Sequence, residues 1–259
     1  ITDYDRIPET TVFDLEGKRV VPGYIDNHMH IIGGGGEKGP STRVPEAQVG
    51  QIFDSGITTV VSMLGTDGIT RSLESLLAKC KAMNEEGLSC YIITGAYSFP
   101  PPTLTGSVER DIVLIDQIIG VKTSMSDHRS SNQTAENLIE LSRRAGMLSG
   151  CAGVVVIHVG SGKKGLLPLV RAVSESDVPA QHFLPTHIGR NVDVFKQGMD
   201  FVANGGTVDI TAGSDFEEQT STVDKIEQYF SRDSTGDHMS LSSDGYGSAP
   251  RFNEKMECI

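Results

Sequence analysis

The feature that most constrains this chain is an alternation. Short apolar, β-branched runs are separated by longer stretches with helical periodicity, the pattern of a parallel sheet with crossover helices. Eight such runs can be read, at 24–30, 57–64 ("ITTVVSML"), 90–95 ("CYIITG"), 121–125 ("VKTSM"), 154–159 ("VVVIHV"), 183–187 ("FLPTH"), 207–211 ("TVDIT") and 239–244 ("MSLSSD"). Seven crossovers fit between them. In "SLESLLAKCKAMNEEG", for example, Leu73, Leu76, Leu77 and Cys80 recur at i, i+3, i+4 and i+7, with Gly87 as the stop. Eight βα units in 259 residues predict an α/β protein of the TIM (β/α)8 barrel type, a fold that uses about 250 residues. The rival is an open doubly wound sheet. It would carry GxGxxG after its first strand, whereas Gly33 to Gly36 has no correctly spaced third glycine and no helix directly behind it.

Both ends are expected to be incomplete. "TTVFDLEGKRVVPG" reads as one or two short β-segments around a turn at Glu16-Gly17, too little for an independent domain. "RFNEKMECI" stops where the eighth, covering helix should follow, so the barrel is expected to lack that helix. An uncovered strand would expose apolar surface and lower solubility.

Charge and cysteine usage narrow the partners. A net charge of −12 opposes binding to a phosphate backbone, so a small molecule or peptide is expected rather than nucleic acid. No apolar run reaches the roughly 20 residues that span a bilayer, and the first residues lack the blocks of a signal peptide, so neither a membrane nor secretion is expected. Cys80, Cys90, Cys151 and Cys258 form no CxxC pair and no disulfide framework, which fits a reducing cytoplasm.

The barrel reading places six polar residues at one mouth: His28 and His30 on strand one, Lys122 on strand four, His158 on strand five, His187 at the end of strand six and Asp244 at the end of strand eight. Each has a plainer reading. The His pair could be half-buried and satisfied, Lys122 could be ion-paired, and Asp244 could form a turn. Their shared position favours a joint role. An HxH pair on a strand points both imidazoles to one face, where they can hold one ion. A lysine amine that captures carbon dioxide becomes a carbamate able to bridge two divalent ions, and two ions sharing a hydroxide bring its pKa toward neutrality. An aspartate beside them can pass the proton to a leaving amine. Amide hydrolysis follows.

With these residues in place, "VVPGYIDNHMH" resembles the signature of the amidohydrolase superfamily, and Lys122, His158, His187 and Asp244 follow the order of its two-metal, carboxylated-lysine branch. A series of further motifs, "HxHxxGGGGExGPxTR", "GTD", "ITGAY", "GVK", "SDHRS", "PTHxxRN", "GGTxDIT" and "LSSDGxGS", resembles the isoaspartyl dipeptidase (β-aspartyl peptidase) family from Val20 to Pro250.

The resemblance implies a binuclear zinc enzyme, other divalent metals being possible, with Lys122 carboxylated on its amine. A metal-bridging hydroxide would hydrolyse the β-amide bond of isoaspartyl dipeptides. His28, His30 and Asp244 would hold the more buried ion, His158 and His187 the other, and Lys122 would bridge them. Asp244 would also be the general acid/base, and Tyr97 would polarise the scissile carbonyl. Glu37 would anchor the substrate α-amine, with Gly35 and its neighbours allowing close backbone approach. Arg129 and Arg190 would take carboxylates, and Thr66 and Ser248 would add further substrate contacts. His128, His182 and His238 are read as non-ligands.

The resemblance also divides the chain into a partial N-terminal β-sandwich segment, 1–22, and a C-terminally truncated barrel, 23–259. It implies a homo-oligomer if the missing segments accompany the native protein. Pro100, Pro101 and Pro102 fall where the family carries a flap, so a hinged lid is expected there. The crossover "AGSDFEEQTSTVDKIEQYFSRDSTGDH" is unusually polar and receives no role. A cyclic-amide hydrolase of dihydroorotase or hydantoinase type would share the metals but would not need Glu37. An inactive truncated remnant would bind no metal or lack cooperative unfolding. A single-metal deaminase would leave Lys122 without a bridging role.

Overall fold

The computed structural model describes residues 8–148, 153–213, 216–248 and 258. Strands and helices alternate in the expected order: β1 (Tyr24–Met29), α1 (Val49–Asp54), β2 (Ile57–Ser62), α2 (Leu73–Glu85), β3 (Ser89–Gly95), α3 (Val108–Leu114), β4 (Ile118–Met125), α4 (Ala135–Gly146), β5 (Val154–Val159), α5 (Leu167–Ser174), β6 (Phe183–Thr186), α6 (Val192–Ala203), β7 (Val208–Thr211), α7 (Phe216–Phe230) and β8 (Met239–Ser242). All strand pairing is parallel, as crossover helices require.

Strands β1 to β6 form one sheet in sequence order, and β7 pairs with β8 in a second. The result is a partial TIM-like α/β fold. Side chains and loops join the two sheets. Asp209 on β7 accepts hydrogen bonds from Thr186 of β6 at 2.7 Å and from Ser240 and Ser242 of β8 at 2.8 and 2.7 Å. On the other side, the Asp244 amide donates to the His28 carbonyl at 3.0 Å, and Gly245 forms a parallel bridge with Met29.

The helices bury the faces that their spacing dictates. In α2, Leu73, Leu76 and Cys80 are buried and continue to Met83, Leu77 is partly buried, and Gly87 takes the left-handed conformation after the helix. The largest core cluster packs α4, α5 and α6 against β4, β5 and β6 through residues such as Leu138, Leu169, Phe195 and Phe183. A small third cluster of Met63, Ile93 and Val156 has Met63 Sδ 3.2 Å from the Lys122 Nζ, so apolar packing lies directly against the polar site.

The N-terminal segment differs from its sequence reading. The turn at Glu16-Gly17 forms, with the Lys18 amide donating to the Leu15 carbonyl, but residues 8–23 contain no strand. A β-segment is stable only where a neighbour takes up its backbone groups, and among the described residues none pairs with this stretch. Val12, Phe13, Val20 and Val21 are exposed. Tyr24 and Ile25 of β1 and Leu241 of β8 are also exposed, and among the described residues no helix follows β8.

Candidate active site

Strand alternation and parallel register bring the polar residues to one end of the sheet. His28 and His30 lie two apart on and just after β1, so both rings face the same way. Lys122 sits opposite Gly95 of β3 and Val156 of β5, and His158 opposite Ser124 and Thr186. His187 and Asp244, just past β6 and β8, adopt φ of 63° and 52°. These left-handed residues turn the chain away from the strand direction at the mouth.

The imidazoles form a continuous group. Ring centroids lie 5.3 Å apart for His28 and His30, 5.0 Å for His28 and His187, and 4.7 Å for His158 and His187. Ligand atoms of His28, His187 and Asp244 lie within 4.8 Å of one another. The Asp244 carboxylate is 3.0 Å from His30 Nε2 and 3.7 Å from His28 Nε2. The Lys122 Nζ is 3.2 Å from His28 Nε2.

Hydrogen bonds decide which ring nitrogens are free to act as donors to a metal. His30 Nδ1 lies 2.8 Å from the Met63 carbonyl, which can only accept, so Nδ1 carries the proton and Nε2 faces the site. His158 Nε2 lies 2.8 Å from the Asp127 carboxylate, leaving Nδ1 to accept from the Tyr97 hydroxyl at 2.6 Å. His187 Nδ1 is 2.5 Å from the Thr211 hydroxyl.

Electrostatics favour neutral rings around an anion. Burial, then the nearby Lys122 and the other histidines, hold His28 well below the ordinary histidine value. Burial likewise lowers His187, and it brings His158 down to about 3 despite the bond to Asp127. Burial works against ionisation of Asp244, but the His30 hydrogen bond and the charges of His187, His30 and Lys122 outweigh it and hold the carboxyl at about 2. Lys122 is fully buried, and desolvation brings its amine down to about 7, within reach of the neutral form that reacts with carbon dioxide. The donor set suits divalent metal ions: neutral imidazoles, a carboxylate, a buried amine and a buried His28 Nδ1 that has no hydrogen-bond partner.

A second cluster adjoins the first. Glu37 Oε1 accepts from the Thr66 hydroxyl at 2.7 Å and from the Ser248 hydroxyl, and Arg129 Nη1 lies 3.4 Å away. Burial opposes the Glu37 charge, but Ser248, Thr66, the backbone and Arg129 together hold its carboxyl below the ordinary value. Gly35 shapes the loop that delivers Glu37. Its φ is 75°, and a Cβ there would stand 2.4 Å from the Thr42 carbonyl oxygen. Arg71 fastens the same loop by donating to the carbonyls of Ile32, of Gly34 at 3.0 Å and of Val44 at 2.9 Å.

Part of the metal-type cluster and the residues that brace Glu37 line a common cavity of about 820 Å3. Tyr97, Arg129, Thr66, Ser248 and the exposed Arg190 line it together with His30, His158, His187 and Asp244. Burial pushes the Tyr97 hydroxyl up, keeping it protonated as a donor, and the Arg129 guanidinium lies 5.8 Å from the centre of its ring. The loop after Tyr97 is tethered. Asp111 accepts from the Leu104 and Thr105 amides and the Thr94 hydroxyl, and the Phe99 amide donates to Ser131. The proline run lies between those tethers, and its Pro102 carbonyl accepts from the Thr94 hydroxyl at 3.4 Å. The three histidines read as non-ligands stand outside the ring cluster: His182 meets Ser142 at 3.1 Å, the His238 amide meets Tyr229, and His128 sits 3.6 Å from Asp127.

Two contributions escaped the sequence reading. The polar crossover forms α7, whose Glu217, Glu218, Ser221, Thr222 and Lys225 make one wall of the cavity. Asp127 is the other, buried between His158 and Arg129. Its only signal was its place in "SDHRS" directly after a strand that carries a proposed ligand.

Comparison with known proteins separates the class from the relative. No protein-family profile matches the chain. A 5-methylcytosine deaminase from Klebsiella pneumoniae, 14% identical with a TM-score of 0.52 over 86% of this chain and 63% of its own, shares the fold alone. At much higher identity stands the β-aspartyl dipeptidase of Fervidobacterium islandicum AW-1. Its complex with β-Asp-Leu dipeptide is 47% identical, has a TM-score of 0.87 and covers 92% of this chain. A second structure of that enzyme is 48% identical over 87% of this chain, with a TM-score of 0.81. The chain is similar to this β-aspartyl dipeptidase and spans 62% of the length of both structures.

Proposed function

We propose that this chain is the barrel part of a binuclear metal hydrolase that cleaves the β-amide bond of isoaspartyl dipeptides. The observation that carries this reading is one cavity lined both by His30, His158, His187 and Asp244 of the first cluster and by Thr66, Arg129 and Ser248, the residues that brace Glu37. The first suits amide hydrolysis in general. The second suits a free ammonium, which a cyclic amide lacks. The bound β-Asp-Leu of the Fervidobacterium relative supports the same substrate class.

In this reading His28, His30 and Asp244 would hold one divalent ion and His158 and His187 a second, with carboxylated Lys122 as the ligand common to both; zinc is the proposed metal. Such ions would supply an activated water-derived nucleophile and polarise the scissile carbonyl. The protein's own groups do the rest. Tyr97 donates its hydroxyl proton in a hydrogen bond to the carbonyl oxygen as negative charge develops there. Asp244 takes a proton on its carboxylate and delivers it to the leaving nitrogen. Glu37 holds the α-ammonium, while Arg129 and Arg190 take the two carboxylates.

Residues 1–22 are proposed as a β-sandwich segment, which accords with the exposed apolar side chains of Val12, Phe13, Val20 and Val21. The free thiols of Cys80, Cys90 and Cys258 accord with a reducing cytoplasm. Among the described residues, no helix is long and apolar enough to cross a membrane.

The deciding experiment is hydrolysis of β-Asp-Leu beside α-Asp-Leu by zinc-loaded protein in bicarbonate buffer. Cleavage of the β-linked isomer alone is expected. Cleavage of neither by folded, metal-bound protein would move the reading to another amide, and dihydroorotate or a hydantoin would then be the next substrates to offer.

A further inference from the structure

The metal cluster and the substrate clamp are joined by a residue that belongs to neither. Asp127 follows β4 on a tight loop in which Ser126 and Asn132 adopt left-handed φ of 55° and 51°. Its carboxylate is 5% exposed and satisfied on both oxygens. Oδ1 accepts from the Arg129 amide at 2.8 Å and from Arg129 Nε at 3.0 Å. Oδ2 accepts from Arg129 Nη2 and from His158 Nε2, each at 2.8 Å.

We propose that Asp127 is a positioning residue that sets the tautomer of His158 and the aim of Arg129 together, so that the metal site and the substrate clamp are formed as one unit. The inference rests on the metal reading of His158 given above. A carboxylate only accepts, so the ring proton is fixed on Nε2 and the lone pair of His158 is on Nδ1, the nitrogen that faces Tyr97. A carboxylate behind a ligating imidazole also strengthens it as a donor. On the other side, the two-point grip on Arg129 fixes the plane of its guanidinium and turns Nη1 toward Glu37 at 3.4 Å. The chain of contacts His158–Asp127–Arg129–Glu37 is continuous from a proposed metal ligand to the ammonium clamp.

The test compares wild type, Asp127→Asn and Asp127→Glu in three measurements: competition for zinc with a chromophoric chelator, KM for β-Asp-Leu, and thermal midpoint. Asp127→Asn is expected to lose about 10- to 100-fold in zinc affinity, the usual cost of removing such a partner, with KM raised in the same variant. Asp127→Glu, which keeps the charge, is expected to recover part of both. A purely structural role would lower the midpoint and leave the zinc affinity of the folded protein unchanged, and that result overturns the proposal.

A measurement on wild type guards against variants that do not fold. Two-bond 1H–15N correlation should show His158 protonated on Nε2, and protonation on Nδ1 instead would also overturn it. If wild type binds zinc but cleaves neither dipeptide, the substrate reading fails while the affinity difference still supports Asp127. If wild type takes up no divalent ion, the metal reading fails and this inference fails with it.

Discussion

Strands β1 to β6 and strands β7 and β8 reach the same cavity by different construction. The first six share one continuous ladder that carries His28, Lys122 and His158, with His30 and His187 at its rim. The last two form a separate pair that meets the rest through side chains, Asp209 toward Thr186 of β6 and Asp26 of β1 toward the Ser243 amide and hydroxyl, and through the backbone just past β8, where the Asp244 amide donates to the His28 carbonyl. Yet the pair delivers the Asp244 carboxylate to one cluster and leads into the Ser248 hydroxyl of the other. The ladder fixes most donors by backbone geometry, while the pair depends on buried polar contacts whose strength varies with protonation.

The largest effect is expected where the pair touches the chemistry. Asp244→Asn removes the group proposed to move the proton and should lower kcat for β-Asp-Leu by about 10^2- to 10^4-fold, the range of general acid/base catalysis. The Asp244 amide bond to the His28 carbonyl remains, but the variant loses the charged contact with His30, so the thermal midpoint is expected to fall as well. Steady-state kinetics with metal content measured on the same sample checks this. Activity near wild type would remove Asp244 from the mechanism and leave the pair a merely structural role.

The joint itself is tested through Asp209, whose carboxyl burial pushes up to about 6 against the hydrogen bonds of Thr186, Ser242, Ser240 and Asn27. Those neighbours are neutral, and Lys122 is the buried cation whose charge it feels. Because the folded value lies above the ordinary 3.8, the folded protein keeps this proton at a pH where the unfolded chain has lost it. Its stabilising contribution is therefore complete below about pH 4 and is lost as pH rises through about 6, a change of about 3 kcal/mol. Urea unfolding from pH 4 to 7 should show Asp209→Asn gaining on wild type by that amount across the window. Parallel pH profiles for the two proteins would show that the joint is insensitive to protonation.

A smaller effect should appear where both parts meet the substrate. Glu37 comes from the loop after β1, and Ser248 reaches it from beyond β8. N-succinyl-leucine is β-Asp-Leu without its α-amine. Wild type should discriminate against it, and Glu37→Gln should raise KM for β-Asp-Leu about 10- to 100-fold, the worth of a charged hydrogen bond, while leaving KM for the succinyl compound little changed. An equal change for both substrates would assign Glu37 a structural role instead.

The sequence shows the ladder well and the joint poorly, for a physical reason. Strand positions follow from β-branched runs, and a histidine such as His158 at the end of "VVVIHV" points to a site because parallel strands share one C-terminal end. Asp209 sits inside "TVDIT", where a lone acid in a strand signals nothing about the hydroxyls of Thr186, Ser240 and Ser242 that meet it from other segments. Asp127 and His158 stand 31 residues apart, and no local pattern encodes their bond. The α7 wall looked unusual only in its polarity, which cannot distinguish a solvated face from a cavity lining. Residues 8–23 carry strand-like sequence but no strand, because pairing needs a partner as well as a propensity.

The smallest predicted effect isolates what the ladder side owes to purely local structure. Thr134 caps α4: its hydroxyl accepts from the Asn137 amide at 3.4 Å, and the Asn137 side chain accepts from the Thr134 amide at 3.1 Å. Each bond satisfies an amide that the helix start would otherwise leave without a partner. Thr134→Ala should cost about 1 kcal/mol by urea unfolding, and kcat and KM for β-Asp-Leu should not change. The reason lies in the architecture. Helix α4 packs through Leu138 and Leu141 into the core outside the sheet, while the site side chains project from its mouth, so a frayed first turn loosens a helix that β4 and β5 hold in register without it. Loss of activity in Thr134→Ala without loss of fold would mean that strain in the helical layer reaches the cavity, and the ladder would then be no more rigid a support than the β7–β8 pair.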